Sequence, residues 1–296
     1  MNGRIIKALS GFYYVASGTE VFECKARGNF RKNGISPLVG DNVLFEKTAE
    51  DKGIIDEVLQ RKNCLVRPPV ANIDKLFIMS AFSNPEPNTY LIDKMSVIAV
   101  FNNIEPIIVF NKCDMGSFEN IRAIYQNSGF KTFVISAKDA IGIDELSQEM
   151  KDCVSVFTGN SGVGKSSVLN AIFGNDDIAT GSVSQKLGRG KHTTRHTELY
   201  ELPFGGYIAD TPGFSSLELD IKNFELKENL AYCFPDFKEY LSDCKFTSCT
   251  HTKEIGCAVR DAVNNKKIEK TRHESYCQLF DEMKDLKFWE ANKKMR

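Results

Sequence analysis

Nine consecutive residues, Gly159-Asn160-Ser161-Gly162-Val163-Gly164-Lys165-Ser166-Ser167, carry the G-x4-G-K-S spacing of a loop that wraps phosphate groups. The apolar run VSVF precedes the loop and the helix-prone SSVLNAIF follows it. In that setting backbone N–H groups and the positive end of the helix surround phosphate oxygens. Lys165 would reach the β- and γ-phosphates, and the Ser166 hydroxyl would ligate Mg2+. A second stretch, Asn111-Lys112-Cys113-Asp114, closes the apolar run PIIVF. A carboxylate at Asp114 can accept from two guanine ring donors at once, whereas adenine would leave it unpaired, so this stretch selects GTP over ATP. Asn111 and Lys112 would brace the loop and the ring.

Two weaker boxes complete the set. Ser136-Ala137-Lys138 ends KTFVISAK and can offer a backbone N–H to the guanine oxygen. Asp210-Thr211-Pro212-Gly213 follows YIA and matches the loop that senses the γ-phosphate, with Asp210 reaching Mg2+ through water and the Gly213 N–H on the phosphate. The order along the chain is base, base, phosphate loop, sensor, where an ordinary GTPase begins with the phosphate loop. In a doubly wound sheet such boxes sit on loops at the carboxyl ends of strands, so their meeting depends on sheet geometry and not on chain order. Joining the old termini and cutting elsewhere leaves that face intact.

A different chemistry is written near the C-terminus. Cys244-x4-Cys249-x-His251-x5-Cys257 brings three thiols and an imidazole into fourteen residues rich in turn formers. That set fits a closed tetrahedral site for one zinc ion, structural because no position is left open. Cys233, Cys277 and His273 are the substitutes if one ligand is misassigned. Cys24, Cys64, Cys113 and Cys153 lie in apolar or strand contexts and read as buried small hydrophobes.

The elements that must position these groups fall into three textures. Residues 3 to 60 alternate in short runs broken by Gly, Asn and Asp, which reads as about five strands. A Greek-key barrel of the OB type suits that length, with an SH3-like barrel or an open sheet as alternatives. Arg67-Pro68-Pro69 reads as a linker. Beyond it apolar runs alternate with helical stretches, the signature of a parallel α/β sheet. From about residue 222 the chain turns helical and charged, with one long amphipathic candidate from about Val259 to the end. The domains expected are 1–66, a β-barrel; 67–221, an α/β nucleotide domain; and 222–296, a mainly α metal-binding domain.

Composition bounds the rest. The 296 residues are 42% hydrophobic and 26% charged with a formal net charge of −1, so no global charge argues for nucleic acid. Nine cysteines, an odd count without a secretion signal, argue against a disulfide framework. No run approaches a membrane span, and a cytoplasmic protein with no membrane partner, monomeric, is expected.

The permuted order, the N-terminal barrel and the Cys/His set directly after the nucleotide domain together resemble the circularly permuted, small-ribosomal-subunit-dependent GTPases of bacteria, over nearly the whole chain. The resemblance implies an OB-fold barrel, a circularly permuted P-loop GTPase domain, a zinc domain, and a role in late maturation of the small ribosomal subunit. It also directs attention to GRGKHTTRHTEL as a first switch. Ras-like GTPases orient the attacking water with a glutamine after the sensor loop, and here that place holds Phe214. His192 is then the candidate to position water, with Thr193 or Thr194 completing Mg2+ coordination; His192 also reads as an ordinary exposed loop residue.

Nucleic-acid signals are local. Lys25, Arg27, Arg31 and Lys32 cluster near Phe22 and Phe30, and Lys266, Lys267, Lys270, Arg272 and His273 precede a helix. Both clusters suit RNA or a plain solvated surface, and the resemblance favours rRNA. Two rival readings remain: an RNA-binding protein that uses GTP as a sensing or structural ligand with little turnover, and a GTPase acting on a partner unrelated to ribosomes.

Overall fold

The computed structural model describes residues 1–28, 30, 36–66, 69–174, 197–210 and 224–285. Strands β1 (Asn2–Leu9), β2 (Phe12–Ser17), β3 (Glu20–Ala26), β4 (Asn42–Ala49) and β5 (Lys52–Val58) pair in the order β1-β2-β3-β5-β4, and β4 returns to β1. This closure, with β3 and β5 parallel and the other pairs antiparallel, is the five-stranded OB arrangement. Alternation places Ile5, Val15, Phe22, Cys24, Val43, Phe45 and Ile55 inside the barrel. Two expectations change here. Phe22 and Phe30 are buried and cannot stack on bases; Phe22 fills the small barrel, whose tight interior needs large side chains. Arg27 is engaged by Glu46 and Asp56, while Lys25 stays out over the Phe12 ring. Arg31 and Lys32 lie outside the described residues.

The stretch around the expected linker is paired backbone. Strands β6 (Cys64–Val66) and β7 (Pro69–Ala71) run antiparallel, and Ala71 N–H donates to Val39 O at 2.9 Å. Gly40, with φ of +92°, lies where a Cβ would come within 2.1 Å of the Ala71 carbonyl oxygen, so the barrel meets this segment only through a glycine.

The central sheet contains β8 (Lys75–Ala81), β9 (Glu105–Asn111), β10 (Lys131–Val134), β11 (Val154–Thr158), β12 (Glu198–Glu201) and β13 (Tyr207–Asp210). Their order is β10-β9-β8-β11-β13-β12, parallel except for β12. Helices α1 (Thr89–Phe101), α2 (Glu119–Asn127), α3 (Ile143–Met150) and α4 (Lys165–Phe173) connect them. The strand before the phosphate loop, β11, is late in the chain yet central in the sheet, which is the permuted order in spatial form. The barrel's β1 pairs with β12 through Lys7 and Glu198, joining both sheets.

The C-terminal part is helical: α5 (Phe224–Asn229), 3-10 turns at Leu230–Cys233 and Pro235–Asp243, α6 (Ala258–Asn264) and α7 (Lys270–Met283). The single long helix expected from Val259 is two helices. Asn265 caps α6, and Lys266 turns left-handed with φ of +57° so that Ile268 can be buried. Helix α1 buries residues nearly all round, because the sheet lies on one side and the C-terminal part covers the other. Among the described residues no helix is long and apolar enough to cross a membrane.

Candidate functional site

The loops after β9, β10 and β11 emerge at the carboxyl edge of the sheet, the edge at which β13 also ends. Strand β11 is buried throughout and delivers the chain to Gly159, whose φ is +140°. A Cβ there would lie 2.3 Å from Met79 O, so a side chain would push the loop off β8. At Gly164, which caps α4 with φ of +93°, a Cβ would strike Asn111 Nδ2 at 2.3 Å. The glycines therefore let two loops from separate strands touch. Val163 is buried, while Ser161, Gly162, Ser166 and Ser167 are exposed.

Asn111 is the junction. Its Nδ2 donates to Val163 O at 2.9 Å and its Oδ1 accepts from Ala137 N–H at 3.1 Å. One buried amide thus joins the base-reading loop, the phosphate loop and the Ser136-Ala137-Lys138 turn. Ser136 donates its hydroxyl to Asp114 Oδ1 at 2.9 Å and lies 3.3 Å from Asp139 Oδ2. Asp114 is otherwise open to solvent, as a base-reading carboxylate must be. The N–H groups of Ser136 and Ala137 are bonded to Ile141 O and Asn111, so within this turn the Lys138 N–H is the one that could meet a guanine oxygen.

Lys112 is left-handed, with φ of 67°, and donates Nζ to the carbonyls of Ser83 and Asn84 at 3.1 Å. This bridge to the loop after β8 was not legible in the sequence. Lys165 Nζ curls onto Gly159 O at 2.6 Å and Asn160 O at 2.9 Å, and burial lowers its pKa. A phosphate anion would supply the counter-charge that these carbonyls only partly replace. Asp210 ends β13 beside β11, with its backbone paired to Glu198. His192, Thr193, Thr194 and Gly213 lie outside the described residues, as does Phe214.

The second constellation is Cys244, Cys249, His251 and Cys257, whose ligand atoms all lie within 4.8 Å of one another. Cys244 Sγ is 3.5 Å and Cys257 Sγ 3.6 Å from His251 Nδ1, and the two sulfurs are 4.0 Å apart. Tetrahedral zinc with ordinary bond lengths has S···S edges of about 3.8 Å and S···N edges of about 3.6 Å, so the four residues fit one zinc ion. Lys245 N–H to Gly256 O at 2.9 Å and Cys249 N–H to Phe246 O at 3.2 Å shape the turns that gather them. Burial pushes the Cys249 thiol up to about 12 and lowers His251, so a cation is what would hold the thiolates charged.

Cys277 and His273, the reserve ligands, are outside this set. His273 Nε2 instead lies 2.8 Å from His251 O, and Tyr276 donates its hydroxyl to Thr250 O at 2.8 Å. Cys233 is buried in the core; of the four cysteines read as buried hydrophobes, Cys24 alone is fully so, the other three being half-buried at element edges. Arg272, read as part of a basic RNA-facing run, is fully buried between Asp93 and Asp236. Asp93 itself was missed, although a lone acid in the apolar helix LIDKMSVIAVF is a signal of a buried cationic partner.

The nucleotide loops and the barrel coincide with known sequence families. The RsgA GTPase model matches residues 58–220, and the RsgA N-terminal domain model matches residues 2–55. The chain belongs to the RsgA GTPase family. It is a GTP-binding hydrolase of circularly permuted type. The RsgA relatives described as small ribosomal subunit biogenesis GTPases include one from Clostridium kluyveri, 44% identical, with 97% of this chain and 99% of the relative covered. Another, from Caldanaerobacter subterraneus, is 47% identical with 96% of each covered. Among solved structures, YjeQ from Thermotoga maritima superposes with a TM-score of 0.81 at 35% identity, covering 97% of this chain and 99% of that one. YloQ, described as a circularly permuted GTPase, gives 0.78 at 36% identity, covering 97% and 96%.

Proposed function

We propose that this GTPase acts in late maturation of the small ribosomal subunit: it binds the subunit with GTP–Mg2+ in place and leaves after subunit-stimulated hydrolysis. The observation that carries this is full-length likeness to relatives named for small-subunit biogenesis, combined with a nucleotide site whose base and phosphate loops are joined through Asn111.

In this reading Asp114 selects guanine, Lys138 N–H meets the guanine oxygen, and Gly159 to Ser167 cradle the phosphates. Lys165 leaves its two carbonyls for the β- and γ-phosphates, an exchange favoured by its buried, charge-poor surroundings. Ser166 and Asp210 serve Mg2+, Gly213 senses the γ-phosphate, and Thr193 or Thr194 completes the metal's coordination. His192 positions water where Phe214 cannot. Zinc, held by Cys244, Cys249, His251 and Cys257, supplies folding energy to the C-terminal domain.

The functional units are residues 1–66, 67–221 and 222–296, acting as a cytoplasmic monomer. Contact with rRNA falls to exposed cations, Lys25 on the barrel and Lys266, Lys267 and Lys270 beside α7, with Arg272 and His273 excluded by their internal bonds.

The test is GTP turnover by the purified protein alone, with small subunits, with large subunits and with free RNA at matched salt. Stimulation by small subunits only is the expected result, and His192→Ala should abolish it with GTP binding intact. Absence of stimulation with GTP binding retained would favour a binding module with little turnover.

A further inference from the structure

Helix α7 makes contacts in two directions from one short stretch. Arg272, wholly buried, reaches α1 through Nη1 to Asp93 Oδ1 at 2.5 Å and the 3-10 turn through Nη2 to Asp236 Oδ1 at 2.9 Å. Its guanidinium lies 5.0 Å from the Phe130 ring centre and 4.6 Å from that of Phe234, so cation–π contact as well as ion pairing fixes it. The next residue, His273, and Tyr276 one turn on hold the carbonyls of His251 and Thr250 inside the Cys/His loop. Tyr276 also stands edge-on to Phe234, beside the same guanidinium.

The receiving helix continues to the nucleotide site. Asn88, Leu91, Ile92 and Met95 of the α1 cap and body wall a small cavity with Gly159, Asn160 and Val163 of the phosphate loop. Lys94 and Tyr90 of α1 bind Glu282, a second fastening to α7. Packed helices shift as units and do not deform smoothly, so displacement of α1 by the phosphate loop must move α7 or break this clamp.

We propose that Arg272 is a positioning residue that couples the nucleotide site to the Cys/His centre through α1 and α7, independently of the chain segment 211–223 that joins the two domains. The inference rests on the reading of the two sites given above. Coupling of binding free energies is reciprocal, so nucleotide must change zinc retention and zinc must change nucleotide affinity by the same factor.

The experiment uses the full-length zinc-loaded protein and measures its zinc affinity by equilibrium competition with a chromophoric chelator, without nucleotide, with GDP and with a non-hydrolysable GTP analogue. Nucleotide affinity and zinc stoichiometry are measured separately. The wild-type zinc affinity should differ between nucleotide states by about 5-fold or more, within the usual range of coupling. The triple variant Asp93→Asn, Asp236→Asn, Arg272→Met, which leaves no charge at the three positions, should bind both ligands with the ratio reduced to one.

If the triple variant does not fold, Tyr276→Phe, which removes one hydrogen bond and keeps the ring, should lower the ratio. Equal wild-type zinc affinities in all nucleotide states, or an unchanged ratio in the folded variants, overturns the proposal. Loss of nucleotide or zinc binding by the wild type would overturn the site reading on which it stands.

Discussion

Asn111 Nδ2 donates to the Val163 carbonyl at 2.9 Å, so a residue of the base-reading loop holds the phosphate loop that arrives 52 residues later. This bond, with Asn111 Oδ1 on Ala137 N–H, is how the permuted chain still closes one site. Asn111→Ala would leave a buried carbonyl and an N–H unpaired, a cost of about 1–3 kcal/mol each. We expect GDP affinity to fall by about 30-fold or more if that cost is borne by binding, on the basis of roughly 1.4 kcal/mol per decade. Titration with a fluorescent GDP analogue checks this.

Asp114→Asn exchanges an acceptor-only carboxylate for an amide that also donates. Guanine then meets a donor where it needs an acceptor, while xanthine, with a carbonyl at that place, gains a partner. GTP affinity should drop by about 100-fold or more, with xanthosine triphosphate gaining. Competition between the two nucleotides reads the exchange directly, and an unchanged preference would remove Asp114 from base recognition.

The Cys/His centre should hold one zinc per chain, measurable by metal analysis. Cys257→Ser replaces a thiolate ligand at the cap of α6 and should release zinc at neutral pH. Protease cleavage should then appear within the C-terminal helices while the β-barrel remains intact.

Glu149 joins Lys75 and Lys131 across one edge of the sheet. Burial alone would raise its carboxyl, but the two ammonium groups outweigh it and lower the pKa from the ordinary 4.5. A lowered folded pKa gives stability that is present above 4.5 and is lost as pH falls through the folded value. Glu149→Gln should therefore cost about 1–3 kcal/mol at pH 7 in urea unfolding, with the difference shrinking below about pH 4.

Phe22 lies face-tilted 5.2 Å from Phe45 within the barrel. Phe22→Ala should destabilise the barrel by about 3–5 kcal/mol. Lys25→Ala should change stability by less than about 0.5 kcal/mol and weaken small-subunit binding at low salt. Equal subunit affinity across a salt series would exclude the barrel cation from docking.

The nucleotide boxes were legible because their chemistry is local: a glycine-rich loop needs no distant partner to be recognised as a phosphate cradle, and three thiols with an imidazole in fourteen residues define a metal set by spacing. Alternation likewise marked the barrel strands. What spacing could not show is which side chains turn inward. Phe22 and Phe30 read as RNA-facing because their neighbours are cationic, yet both are buried, Phe22 inside the closed barrel. Arg272 read as one more surface cation, yet it meets Asp93, 179 residues away, inside the molecule. Residue type and local spacing marked the GTP-binding loops and a Cys/His set that could hold a metal; only packing between distant segments decided which charges stay in water and which are buried, since burial is a property of the folded neighbourhood.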